Sequence, residues 1–232
     1  MQAMTKYPKP ERPSGATALE MAIYNYELKA QSYHNAKCKN PTKEELARLE
    51  ADYLHLKNEK KRIKSVVIAQ TALAEYRKEC GLSSADELLE EEHHPTNDLA
   101  KYLSAVGEPK PTNLHEAHHI ISGKGRYNTS AMMDARLNLH LMNIGINDPH
   151  NGIWLINFVK NKAIDWSTTD APPHRKIHRY NYETWIGAML GENMATDKTA
   201  FLNKLRNTKM LIRTGMLPAR IFAKKDELWK GI

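Results

Sequence analysis

The chain has 232 residues, 41% of them hydrophobic, with a formal net charge of +7 and a pI near 9.2. That is enough for one sizeable domain or two small ones, and the basic balance suits a polyanionic partner without requiring one. Two cysteines, Cys38 and Cys80, exclude a disulfide framework or a zinc ribbon and read as incidental thiols of a reducing compartment. No apolar run approaches the ~18 residues of a membrane span. The charged, proline-bearing start has none of the apolar core of a secretory signal, so export is expected to use a route without a cleavable leader.

Pro8, Pro10, Pro13 and Gly15 mark residues 1–14 as a flexible lead-in. From Ala16, Leu19, Ile23, Tyr26, Ala30 and Tyr33 recur at steps of three and four and share one helical face. Cys38 to Pro41 breaks this run. A second helix is expected to start near Asn40 or Thr42, where Pro41 suits a first turn and Thr42 with Glu45 fits a capping box. Leu46, Leu49, Tyr53, Leu56, Ile63 and Val67 carry it, interrupted at Lys60, to about Cys80, with Gly81 as the stop. The two form an αα-hairpin, either a docking arm or a subdomain packed on the rest.

Ser84 and Glu87 form another capping box before Leu88 and Leu89. The run Glu90-Glu91-Glu92-His93-His94 has no convergent partners at metal-ligand spacing and reads as a solvated face. Asp98 to Val106 is a short helix ending at Gly107, and Pro109 and Pro111 lead on as extended chain. Next comes Leu114-His115-Glu116-Ala117-His118-His119-Ile120-Ile121. Neighbouring side chains on a strand point to opposite faces, so His118 and His119 give one imidazole to each side. A glycine turn, Ser122 to Arg126, follows, and residues 129–140 read as helix or irregular. Asn147 to Gly152 is dense turn chemistry. Ile153 to Ile156 is short enough to be a strand paired with the first. His174 to Leu190 and about Thr199 to Thr214 read as helices. From Thr199 onward eight lysines and arginines face only Asp226 and Glu227.

Seven of the 11 histidines lie between 115 and 178. His174 and His178 are four apart, so a helix projects both from one face, a ready grip for a metal. Adding His118 gives three imidazoles and an open position, the layout of a catalytic rather than a structural metal site. His119 is then left as a neutral imidazole able to activate water. Asn151 opens the second strand. Its amide either locks the turn or holds the loop that orients His119. His115 and His140 are candidates for assisting roles.

This strand–turn–strand–helix order resembles the HNH, or ββα-metal, nuclease superfamily, in the branch named for its Ala-His-His motif. Asp98-Leu99-Ala100-Lys101-Tyr102-Leu103 is similar to that family's lead-in helix, and Glu116-Ala117-His118-His119-Ile120-Ile121 is its signature. Arg136-Leu137, Gly145-Ile146-Asn147-Asp148 and Asn151-Gly152-Ile153-Trp154-Leu155 resemble its middle motif, and His174-Arg175-Lys176-Ile177-His178-Arg179-Tyr180 its last. The match covers about residues 98–190. Ile156 stands where such families often carry proline, and Phe158 to Ala171 makes a long insert.

The resemblance implies an α+β, mostly α, fold: a small ββα-metal core with an N-terminal helical hairpin and C-terminal helices. It divides the chain into a helical region over 1–95 and a nuclease domain over 96–232. It implies phosphodiester hydrolysis with one divalent metal (Mg, Zn, Ni or Mn) held by His118, His174 and His178, with His119 as base and His118 and Asn151 beside it in the catalytic set. Which of His118 and His119 is base and which ligand is open from sequence; the order follows related nucleases. Arg175, Arg179 and Lys176 would bind phosphates, and Arg136 would brace the fold. The expected substrate is DNA, cut with weak sequence preference because phosphate contacts carry no sequence information. The expected setting is a bacterial toxin made in the cytoplasm, such as a type VI secretion effector, with a cognate immunity protein and a secretion-apparatus or adaptor partner for the N-terminal helices. The competing readings are an RNase with the same site, and a non-catalytic nucleic-acid-binding or adaptor protein with a structural metal.

Overall fold

The computed structural model describes residues 7–39, 41–192 and 197–232. Part of the lead-in and the alternative helix start at Asn40 therefore lie outside the described residues. The chain divides into two compact units, Met1–Ile68 and Ala69–Ile232, so the break falls inside a long helix.

Helix α1 spans Ala18–Lys37 in the first unit, and the long helix α2 spans Lys43–Leu82, its residues from Ala69 onward belonging to the second. Thr17 caps α1 in a full capping box with Glu20. Thr42 and Glu45 exchange the same pair of bonds at the start of α2, at 2.8 and 3.3 Å. Leu49 and Leu56 are buried within the first unit, while Leu46, Tyr53, Leu54 and Val67 stay exposed. Gly81 lies inside α2 rather than past its end. The helix stops one residue later because Ser84 caps the next one, α3 (Ala85–Leu89), with Glu87 completing its box.

The second unit is mostly helical around one antiparallel two-stranded ribbon. It contains α4 (Asn97–Ala105), β1 (His115–His119), α5 (Thr129–Leu141), β2 (Gly152–Ile156), α6 (His174–Ile177), α7 (Tyr180–Ile186) and α8 (Lys198–Arg213). In the ribbon His118 pairs with Ile153, Glu116 with Leu155 and His119 with Gly152. Paired residues share a face, so Glu116, His118, Ile153 and Leu155 lie on one side and Ala117, His119 and Trp154 on the other. Ile153 and Leu155 join the main core with Leu139 of α5, Tyr182 and Trp185 of α7, and Leu205 and Ile212 of α8. Ala117 and Trp154 pack on Leu99 and Leu103 of α4. Gly152 permits that approach: a Cβ there would sit 2.5 Å from Leu99. The C-terminal part of α2 adds Ala69 and Leu73 against Tyr102 and Ala105.

The helix expected over His174 to Leu190 is broken. α6 is a single turn, His178 leaves helical geometry at ψ 87°, and extended Arg179 starts α7 afresh. Cys38 and Cys80 form no disulfide. No helix among the described residues is long and apolar enough to cross a membrane.

Candidate functional site

β1 supplies His118 to the face that carries the main core, and α6 brings His174 and His178 to the same place. One ring nitrogen from each lies within 4.8 Å of the others. An ion bound at ~2.1 Å by each imidazole spans a similar width, so the donor set fits a divalent metal. His118 is buried, His174 half-buried and His178 exposed, which leaves the cluster open on one side.

The surrounding bonds fix which nitrogens carry the protons. The Tyr182 hydroxyl donates to the Ile120 carbonyl at 3.0 Å, so toward His118 it can only accept. His118 therefore donates Nε2–H to it across 3.1 Å and keeps Nδ1 bare. His174 donates Nδ1–H to the Glu116 carboxylate, and its Nε2 faces His178 Nε2 at 2.8 Å. A carboxylate or hydroxyl behind a ligating histidine is the usual outer support of a metal site. Burial, then the neighbouring His174 and His178, push His118 well below the ordinary histidine range and keep it neutral. Burial also lowers His174, against the opposing pull of Glu116. For Glu116 burial works against the charge, but the bonds from His174 and Arg175 outweigh it and hold the carboxyl below its usual value.

His119 faces the other side of the ribbon. Its Nε2 lies 3.0 Å from Asn147 Oδ1. The amide orientation follows from Asn147 Nδ2, which donates to Glu91 Oε1 at 2.8 Å and the Glu92 carbonyl at 2.9 Å. Asn147 must then accept from His119 Nε2–H, leaving His119 Nδ1 as the basic atom. Burial brings the His119 pKa down to about 4, against the raising effect of Asn147, so the ring is neutral at pH 7.

Asn151 has a different place. Its Oδ1 accepts from Ile121 N at 2.8 Å and its Nδ2 donates to the Ile121 and Ile146 carbonyls, both at 2.9 Å. Every polar atom of the amide is engaged with backbone, so Asn151 is a positioning residue that ties the loop before β2 to the end of β1. The side chain on His119 is Asn147. Of the three expected phosphate binders, Arg175 is the one beside the cluster, 3.4 Å from Glu116 and stacked over Phe158. Arg179 donates to the Lys176 and Phe222 carbonyls, and Lys176 sits over the Phe222 ring. Both are exposed cations tied to the C-terminal segment.

The two assisting candidates are structural. His115 bonds Thr112 and Thr168, and with Asp165 pins the Phe158–Ala171 insert to β1. His140 donates to the Ile144 carbonyl and accepts from Arg136 Nε. Fully buried Arg136 braces the fold, donating also to the carbonyls of Leu88 and Glu91.

The acidic run is not simply a solvated face. The Glu91 carboxylate receives Tyr76, Asn147 and Ile146 N, and His93 and His94 lie with their ring centroids 6.2 Å from that of His119. Sequence spacing gave no signal for this, because the partners lie 15 or more residues away.

A sequence model of "a nuclease family of the HNH/ENDO VII superfamily with conserved AHH" matches residues 99–214. No curated protein and no solved structure matches the chain.

Proposed function

The chain belongs to the AHH family of nucleases, and on that premise we propose that it is a divalent-metal-dependent endonuclease that hydrolyses DNA with little sequence preference and serves as an antibacterial toxin. The observation that carries the reading is the convergence of His118, His174 and His178 on one point, with a neutral, amide-anchored His119 on the next residue of the same strand. The three imidazoles would hold one ion, which when bound polarises the scissile phosphate and offsets charge on the departing oxygen. Imidazole donors alone do not select among Mg, Zn, Ni and Mn.

His119 Nδ1 takes a proton from the attacking water as the new oxygen–phosphorus bond forms and the bond to the leaving alkoxide breaks. Asn147 holds the opposite ring edge, and Asn151 keeps the strand end in place. Arg175 binds a flanking phosphate, and the basic C-terminal segment adds salt-sensitive affinity for the backbone. Family members occur as the lethal parts of delivered toxins. That supports secretion or injection into a target cell, a cognate immunity protein, and a docking role for the N-terminal helices toward a secretion or adaptor component.

The test is digestion of plasmid and total RNA side by side, with each metal and with EDTA. Plasmid cleavage that needs metal and is lost in His119→Ala supports the reading. Equal cleavage in EDTA overturns it. Cleavage of RNA alone moves the substrate to RNA, and tight binding without cleavage favours the adaptor reading.

A further inference from the structure

We infer that His94 is a substrate-binding residue of this site, donating an imidazole N–H to a phosphate oxygen of the strand held between His119 and the His118–His174–His178 cluster. The inference rests on the nuclease reading above. It starts from how firmly the segment before α4 is fixed. Arg136 Nη2 donates to the Glu91 carbonyl at 3.1 Å, Asn147 Nδ2 to the Glu92 carbonyl at 2.9 Å, and Tyr76 to the Glu91 carboxylate at 2.7 Å. The next residue, His93, packs directly against Gly123: a Cβ there would fall 2.0 Å from its ring. His94 follows directly, its ring centroid 4.6 Å from that of His93 and 6.2 Å from that of His119.

The His94 ring meets that of His119 edge-on, at an interplanar angle of 89°. It is exposed, and among the described residues its ring nitrogens make no hydrogen bond. A ring anchored on its backbone side, unused inside the fold and set beside His119 has a donor available to ligand. The chemistry that both halves already address is a phosphodiester. An imidazole N–H is a hydrogen-bond donor to a phosphate oxygen.

The experiment uses the full chain. Binding of a short DNA duplex is measured in the His119→Ala background, with and without His94→Ala, so that the contact is read without turnover. Cleavage is measured for His94→Ala and His94→Gln, and Zn affinity and Tm for all variants. A hydrogen bond to a charged group predicts roughly tenfold or more weaker duplex binding and a similar fall in kcat/KM for His94→Ala. Partial recovery is expected in His94→Gln, whose amide can donate, with Zn affinity and Tm unchanged. Unaltered duplex binding and cleavage in His94→Ala overturn the inference, as does a loss of Zn affinity, which would make His94 a ligand. If the wild type cleaves neither DNA nor RNA while the binding loss is seen, the nuclease reading fails and the His94 contact stands.

Discussion

Tyr182 accepts the Nε2 proton of His118 at 3.1 Å while giving its own to the Ile120 carbonyl. One hydroxyl on α7 thereby decides which nitrogen of His118 carries the proton and which is left bare. On the far side of the cluster Glu116 does the same for His174.

Removing either support is expected to loosen metal binding without touching a ligand. Tyr182→Phe keeps the packing and loses the acceptor; Glu116→Gln keeps the shape and loses the charge. Each is expected to weaken metal affinity by roughly 10- to 100-fold, the range found for such outer partners. Isothermal titration with Zn checks this, and wild-type affinity in both variants would show that the tautomers are set elsewhere.

The two asparagines should fail differently. Asn147→Ala removes the acceptor of His119 Nε2–H, so kcat falls while metal affinity holds. Asn151→Ala deletes three buried backbone contacts and is expected to destabilise by about 2 to 4 kcal/mol. Denaturant melts and kinetics on the same two proteins separate these effects. A stable, fully metallated Asn151→Ala enzyme with abolished kcat would instead place that residue in the chemistry.

Much of this site was legible because it is local. Alternation along a strand sends His118 and His119 to opposite faces, and a spacing of four brings His174 beside His178. The turn chemistry of residues 147–152 marks the end of the second strand. What the sequence did not disclose depends on tertiary contacts. Asn147 and Asn151 look alike as turn asparagines, and only the position of Glu91 selects the first as the partner of His119. His93 and His94 looked solvated because nothing near them in sequence could anchor them; the anchors are Arg136, Asn147 and Tyr76. The break after His178 has no glycine or proline to announce it.

Stability is expected to fall in mild acid. Burial lowers His140 to about 4, and its Nε2 is committed as an acceptor to Arg136. An unfolded histidine titrates near ~6.5. Between these values the unfolded chain binds a proton that the folded one does not, so stability rises with pH across that window and is flat above it. The loss on going from pH 7 to 4 is on the order of 3 kcal/mol from this residue. His140→Gln should reduce the slope between pH 4 and 6.5 in urea melts by about the share of one proton, and an unchanged slope would assign it to other groups such as His118 and His119.

The most direct test of the central claim is the divalent-metal affinity of His118→Ala beside that of His119→Ala. Adjacent residues on one strand are assigned different work, one turned to the three-imidazole cluster and the other to Asn147. His118→Ala is predicted to lose affinity by roughly tenfold or more, while His119→Ala binds metal as the wild type does and no longer cleaves. Equal metal affinity in the two variants would contradict that division of labour.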